Sequence, residues 1–231
     1  MFSKTLISLI GAGLLSQTLI AAELTTDQQQ YSYAVGRQIG QMLRSQNISE
    51  VDSAAFSAGV NDYLANNPSQ MSDEQLQAAM KAHFKAEQQK RKQLGDENLA
   101  KGKSFREENA KQAKVTTLDN GLQYEVLKAG EGESPKAEDR VEVHYKGMLI
   151  DGTEFDSSYK RGTPVQFNLK GVVPGFREAV LLMKPGAKWR VVMPPDLAYG
   201  EKGAGNTIGP NETLVFEIEY MGLATDTAAK K

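Results

Sequence analysis

Residues 140–158 read RVEVHYKGMLIDGTEFDSS, and their pattern decides the fold. Val141, Val143 and Tyr145 alternate with Glu142, His144 and Lys146, the period of a strand with one buried face. Asp151-Gly152 then marks a turn, and an extended return follows. The same alternation recurs on both sides. Leu122, Tyr124 and Val126 alternate with Gln123 and Glu125, and Pro164 to Leu169 turns Val165, Phe167 and Leu169 inward. Lys188 to Met193 does so with Trp189, Val191 and Met193, and Thr213 to Met221 with Leu214, Phe216, Ile218 and Tyr220. A single short helix, Gly175 to Met183, is stopped by Lys184-Pro185-Gly186. These elements predict an α+β domain over residues 115–223, an antiparallel sheet with one short helix against its concave face.

Upstream, the period becomes helical. From Gln28 to Leu43 the positions Tyr31, Val35, Ile39 and Met42/Leu43 share one helix face, with Thr26 or Asp27 as the cap. Gly36 and Gly40 lie one turn apart in it, and each weakens a helix interior by about 1 kcal/mol relative to Ala. Close approach of another helix offsets that loss; two tolerated surface glycines are the alternative. A second helix, Ser53 to Leu64, carries Phe56, Val60 and Leu64 on one face and ends before Asn66-Asn67-Pro68. Roughly 40 residues rarely fold alone without disulfides, metal or oligomerisation. The segment 23–71 is therefore expected to be a small all-α domain that joins two chains as a homodimer. Ser72 and Gln75 then form a capping box, and the chain that follows is rich in Ala, Gln, Lys and Glu up to Ala113 with no proline before Pro135. One long connecting helix is expected over 72–114, about 60 Å at 1.5 Å per residue. It is apolar at Leu76, Met80 and Phe84 and then almost wholly polar, the character of a solvent-bridging connector. Gly95 and Gly102 are its weak points, and a break there is the rival reading.

Composition narrows the function. The chain has 231 residues, a formal net charge of −2 and a pI near 5.8, so no positive field draws it to nucleic acid. With no cysteine there are no disulfides, thiolate nucleophiles or zinc-thiolate sites. His83 and His144 are the two imidazoles, which leaves little for a catalytic triad or a metal centre. Lys4 and the apolar run from Thr5 to Ile20, closed by Ala21-Ala22, read as a secretory signal peptide over 1–22. The run is shorter than the roughly 20 apolar residues that span a bilayer, which weighs against an uncleaved membrane anchor. No stable membrane insertion is expected after cleavage, although Ile20 allows the cleavage site to slip. Residues 224–231 are small and charged and are expected to form a disordered tail.

No nucleophile–base pair, metal constellation or phosphate loop is present in the second domain. Gly200 to Gly209 is glycine-rich but lacks the spacing and Lys-Ser/Thr of a phosphate loop, and it precedes a strand, so it reads as a flexible surface loop. Aromatic and aliphatic residues at segment ends, Tyr145, Phe155, Phe167, Val172-Val173, Phe176, Tyr199, Ile208 and Phe216, can instead line an apolar cleft beside the acid Asp156.

Five motifs carry a family resemblance. They are Val143-His144-Tyr145-Lys146-Gly147, Asp151 to Ser158, Val172-Val173-Pro174-Gly175-Phe176, Leu197-Ala198-Tyr199-Gly200 and Leu214-Val215-Phe216. In order and spacing they resemble the FKBP-type prolyl isomerases over residues 115 to 223. The signal peptide, helical segment and connector further resemble the Mip-like (macrophage infectivity potentiator) subgroup, which is dimeric. The resemblance implies an FKBP-like fold and a proline pocket lined by Tyr145, Phe155, Asp156, Phe167, Val172, Val173, Tyr199, Ile208 and Phe216. It implies Phe176 as the floor, where many members carry Trp, and so a smaller floor for the family's macrolide inhibitors. Catalytic roles fall to Tyr145, Asp156 and Tyr199, with Tyr199 O–H the chosen donor and Asp156 either orienting Tyr145, polarising the site or pairing with a nearby base. The expected activity is peptidyl-prolyl cis-trans isomerisation of unfolded or newly exported polypeptides in the periplasm or at the cell surface, with no cofactor and no metal. A chaperone or peptide-binding module with little turnover is the alternative; a structural scaffold leaves the pocket without a purpose.

Overall fold

A computed structural model describes residues 24–46, 48 and 50–224; the expected signal peptide and residues 225–231 of the expected tail lie outside them. The chain divides into two compact units, the first ending at Pro68 and the second beginning at Ser69. The first holds α1 (Asp27–Ser45) and α2 (Ser53–Leu64). Thr26 caps α1: its hydroxyl accepts from Gln29 N–H, and the Gln29 side chain accepts from Thr26 N–H. Asp52 caps α2 by accepting from Ala55 N–H at 2.8 Å. Neither helix buries a residue in the single chain. Tyr63 is 85% exposed and Leu64 74%.

The second unit opens with α3 (Asp73–Ala110), 38 residues started by the Ser72/Gln75 capping box and continuous through Gly95 and Gly102. Seven strands follow: β1 (Val115–Thr117), β2 (Gln123–Lys128), β3 (Arg140–Leu149), β4 (Glu154–Ser157), β5 (Val165–Asn168), β6 (Lys188–Met193) and β7 (Leu214–Leu223). They form one sheet in the order β1-β2-β6-β7-β3-β4, antiparallel throughout, with β5 also paired to β3. β4 takes the Lys146–Met148 end of β3 and β5 its Arg140–Val143 end. The chain crosses from one to the other through a four-residue helix, α4 (Ser158–Arg161), that the strand pattern does not foresee. A longer helix, α5 (Pro174–Leu182), starts on Pro174, whose missing N–H suits the first turn, and buries Phe176, Ala179 and Val180. These pack with Val141, Val143, Tyr145, Trp189, Val191, Met193, Leu214, Phe216, Ile218 and Tyr220 in one core.

Four expectations change, the last of them on α3. Val126, read as inward, is 44% exposed, because it pairs with Trp189 at the end of the ladder, beside a register shift. Gln123, read as outward, is buried. The glycine-rich loop is not a free surface segment: Ala204 and Ile208 exchange backbone hydrogen bonds of 2.9 and 3.1 Å within it, and Ile208 is buried.

The second change has its cause in α3. Gly95, Asn98, Gly102 and Asn109 are buried, so the C-terminal half of α3 is docked rather than solvent-bridging. Asn109 donates to Gln123 Oε1 at 2.8 Å and accepts from Arg190 at 2.9 Å, while Gln123 donates to the Arg106 carbonyl at 2.9 Å. Arg106 also donates to the hydroxyl of the fully buried Thr213. Gln123, Val192 and Val215 are cross-strand partners on the face opposite Trp189 and Phe216, and all three are buried. Helix α3 thus covers the outer face of the sheet through glycines and polar donors.

Gly102 tests this packing. A Cβ there would overlap Thr213 Oγ1 and come within 3.1 Å of its Cβ. Helix propensity favours Gly102→Ala by about 1 kcal/mol; overpacking against a buried side chain opposes it by about 1–3 kcal/mol. The variant is expected to unfold at lower urea concentration than wild type. A raised midpoint would mean that α3 stands off the sheet.

Candidate active site

Alternation along β3 sends Tyr145 to the same face as Val141 and Val143, and its neighbour Gly147 opens the site. Gly147 sits opposite Phe216 on β7 and Asp156 on β4. A Cβ at Gly147 would lie 2.6 Å from the Phe155 ring and 2.9 Å from that of Phe216. Only glycine lets these two rings meet over the strand, edge to face at 5.6 Å and 79°. Phe176 then rises from α5 and meets Phe216, Phe167 and Tyr145 edge to face at 5.6, 5.9 and 6.0 Å. Edge-to-face geometry brings the electropositive rim of one ring against the electron-rich face of the next.

The rings enclose a cavity of about 250 Å³, lined by Tyr145, Phe155, Asp156, Phe167, Val172, Val173, Phe176, Tyr199 and Phe216 with the backbone at Gly171. Of the residues assigned to the pocket in the sequence, Ile208 alone is absent from this wall. It is buried with the core cluster, held by the Ala204 pairing.

The polar groups divide sharply by whether their protons are committed. Tyr145 O–H donates to Asp156 Oδ2. Arg161, at the end of α4, donates to Asp156 Oδ1 at 2.6 Å and to the Tyr145 hydroxyl oxygen at 2.9 Å, with its guanidinium 5.6 Å from the Tyr145 ring centre. Gly162, left-handed at φ 75°, ends α4 beside it. Ser158 ties α4 to β3: its hydroxyl accepts from Tyr145 N–H at 2.8 Å and lies 3.2 Å from the Tyr145 carbonyl. Burial raises the Asp156 pKa, but the hydrogen bonds from Tyr145 and Arg161 and the guanidinium charge outweigh it, and the carboxyl is held below the usual value. Tyr145 is pushed up by burial and by its bond to Asp156, against the opposing effect of Arg161. Tyr199 is pushed up by burial and by the Asp156 charge, and so keeps its proton at neutral pH. Tyr199 is 38% exposed, and its hydroxyl makes no hydrogen bond to the described residues. Tyr199 is therefore the donor left for a ligand.

Arg161 escaped the sequence reading. A basic residue beside Lys160 looks like solvated surface, and what it does depends on the turn of α4, which no periodicity announces. Among the described residues no group of three or more His, Asp or Glu is placed to hold a metal ion.

Residues 131–221 match the family described as FKBP-type peptidyl-prolyl cis-trans isomerase, and residues 28–126 match the domain amino terminal to it. The peptidyl-prolyl cis-trans isomerase Mip of Coxiella burnetii is 41% identical over 226 residues, 95% of this chain and 98% of that protein. The chain belongs to the FKBP-type peptidyl-prolyl cis-trans isomerases. The outer membrane protein MIP of Legionella longbeachae is 37% identical over 91% of this chain and 94% of its own length. Among solved structures, the crystal structure of FkpA from Escherichia coli aligns with a TM-score of 0.61 at 40% identity, over 87% of this chain and 98% of that one. The fold is thus the FKBP-like α+β fold behind N-terminal helices, the enzyme is a prolyl isomerase of Mip-like kind, and its substrates are proline-containing polypeptides.

The isomerase should keep its Asp156–Arg161 pair across neutral and mildly acid pH. A depressed folded-state pKa contributes stability that is present above the unfolded value and is lost as pH falls through the folded one, here below 3.8. Exchange NMR of an X-Pro peptide, which needs no coupling protease, should find no loss from this group between about pH 7 and 5. Arg161→Gln removes a lowering influence, so its acid limb should move to higher pH. An unmoved limb would detach Arg161 from the site.

Proposed function

We propose that this isomerase lowers the barrier to X-Pro rotation by placing the prolyl ring in the cup formed by Tyr145, Phe155, Phe167, Val172, Val173, Phe176 and Phe216, with Tyr199 O–H directed at the amide carbonyl. The observation that carries the reading is the pairing of an apolar aromatic wall with one uncommitted donor. Rotation about the peptide C–N bond costs about 18–20 kcal/mol because resonance gives that bond double-bond character. Uncatalysed X-Pro exchange takes roughly tens to hundreds of seconds. The twisted amide has lost resonance and is less dipolar than the planar one, so moving it from water to an apolar cup raises the planar state more. Each 1.36 kcal/mol of difference is worth about tenfold in rate. Loss of resonance makes the carbonyl oxygen a weaker acceptor, so Tyr199 O–H adds to this only by its placement, meeting the oxygen in the position it reaches on twisting, and no covalent bond forms or breaks. Asp156 accepts from Tyr145 O–H and, paired with Arg161 beside the wall, holds the Tyr145 ring in place. Phe176 floors the cup, and macrolide inhibitors of this family are proposed to enter the same space with contacts set by that smaller ring.

We further propose that the substrates are newly exported polypeptides. The reading of residues 1–22 as a secretory signal supports this, as does the name of the Legionella longbeachae relative. The enzyme works as a homodimer joined through residues 23–71, with 72–114 as connector and 115–223 as catalytic domain. In support, Tyr31, Tyr33, Met42 and Phe56 are all exposed in the single chain, and nothing lies within 4 Å of a Cβ at Gly36 or Gly40. Two linked pockets on one unfolded chain gain in effective concentration; on a tetrapeptide they do not.

Tyr199→Phe and Asp156→Ala should each lower kcat/KM on short prolyl peptides by about tenfold, the loss of one hydrogen bond of about 1 kcal/mol, while far-UV circular dichroism is unchanged. Full activity in both would remove the assigned roles. Gly36→Leu with Gly40→Leu should sediment as a monomer, turn over peptides normally and slow the proline-limited refolding of a protein substrate. A dimer that survives the double substitution would place the joint elsewhere.

A further inference from the structure

Between Tyr199 and Asn211 the backbone is left-handed at Gly200, Gly203 and Gly205, with φ of 55°, 58° and 55°. Glycine reaches this region freely, so such a loop has little stiffness of its own. Yet it begins at Tyr199, which lines the pocket. Internally it is closed by the Ala204–Ile208 pair and by Asn211 N–H on the Gly200 carbonyl at 2.9 Å. From outside it is held by α3. Arg91 Nη2 donates to the Glu201 carbonyl at 3.1 Å and to that of Lys202, and Asn98 donates to the Pro210 carbonyl at 2.9 Å from a buried position. Arg91 and Asn98 lie two turns apart on one face of α3. Gly95, between them, fits against Pro210 and Asn211. One helix therefore grips both limbs of the loop.

We propose that Arg91 is a positioning residue for isomerisation: by fixing the carbonyls two and three residues after Tyr199, it holds the limb that aims the Tyr199 hydroxyl into the pocket. The guanidinium suits this task, since its charged Nη2 donates to both backbone carbonyls and such bonds are stronger than those of a neutral donor. The role is separate from that of Asn98, which holds the far limb leading into β7. It rests on Tyr199 being the donor to the substrate carbonyl.

The test is a kinetic cycle in the full chain on an X-Pro tetrapeptide. Arg91→Ala should lower kcat by about three- to tenfold with KM nearly unchanged, because a misaimed donor weakens the transition state more than binding. Arg91→Lys, which keeps a charged donor, should recover much of the loss; Lys92→Ala, whose ammonium pairs with Asp96, should match wild type. In a Tyr199→Phe background Arg91→Ala should have no further effect. Arg91 is exposed, and Arg91→Gln provides a second reading if the alanine variant folds poorly. A wild-type kcat in Arg91→Ala beside an impaired Tyr199→Phe would overturn the proposal and leave the pocket reading standing. Equal losses in both backgrounds would also overturn it, by showing that Arg91 acts elsewhere. A fully active Tyr199→Phe would instead remove the donor, and the role of Arg91 with it.

Discussion

Phe176 meets Tyr145, Phe167 and Phe216 edge to face, and those contacts join α5 to β3, β5 and β7 at one point. The same ring floors the cavity. Core and pocket therefore share their central side chain, and the site cannot be widened or deepened without loosening the helix that closes the sheet. Gly147 is the complementary constraint, since a side chain there would drive Phe155 and Phe216 apart. The cup is a hydrophobic core left open on one side, with the rigidity that close packing confers.

That origin explains why the polar groups sit where they do. A carboxylate beside so much apolar surface would be costly alone. Asp156 is held by Arg161 and Tyr145, and Arg161 is itself placed by α4 and the Ser158 bonds to the Tyr145 backbone. Committing those protons to one another leaves Tyr199 as the pocket's open donor. The division of labour follows from pairing these half-exposed groups with one another before any ligand arrives.

Strands β3, β6 and β7 were legible in the sequence because a half-buried sheet writes its burial at a period of two. Thr26, Asp52 and Ser72 sit at helix starts for equally local reasons, though only Ser72 stood out by spacing, and Thr26 was one of two candidates with Asp27. Tyr145, Phe155, Phe176, Tyr199 and Phe216 were legible through the family motifs, each carried by a short stretch at a segment end, and Phe167 through the alternation of its strand. Arg161 and the buried setting of Ile208 were not, because both depend on turns whose geometry is set by neighbours distant in sequence. The docking of α3 was hidden for a different reason. Arg91, Gly95, Asn98, Gly102, Arg106 and Asn109 recur at helical spacing, but none is apolar, so a search for hydrophobic periodicity sees only solvent.

A seam of that kind behaves unlike a greasy one. Apolar ridges tolerate a helix sliding or rolling by a fraction of a turn, because one hydrocarbon contact replaces another. Amide and guanidinium groups matched to particular acceptors do not, so the seam sets the helical phase of α3 as a key sets a shaft. Each residue inserted ahead of Arg91 would turn the free half of the helix by about 100° and advance it about 1.5 Å, with the docked half unmoved. Seven inserted residues would bring it back to within about 20°. The direction in which Leu76, Met80 and Phe84 face is thus counted out in residues from the seam, and length along this helix is also angle.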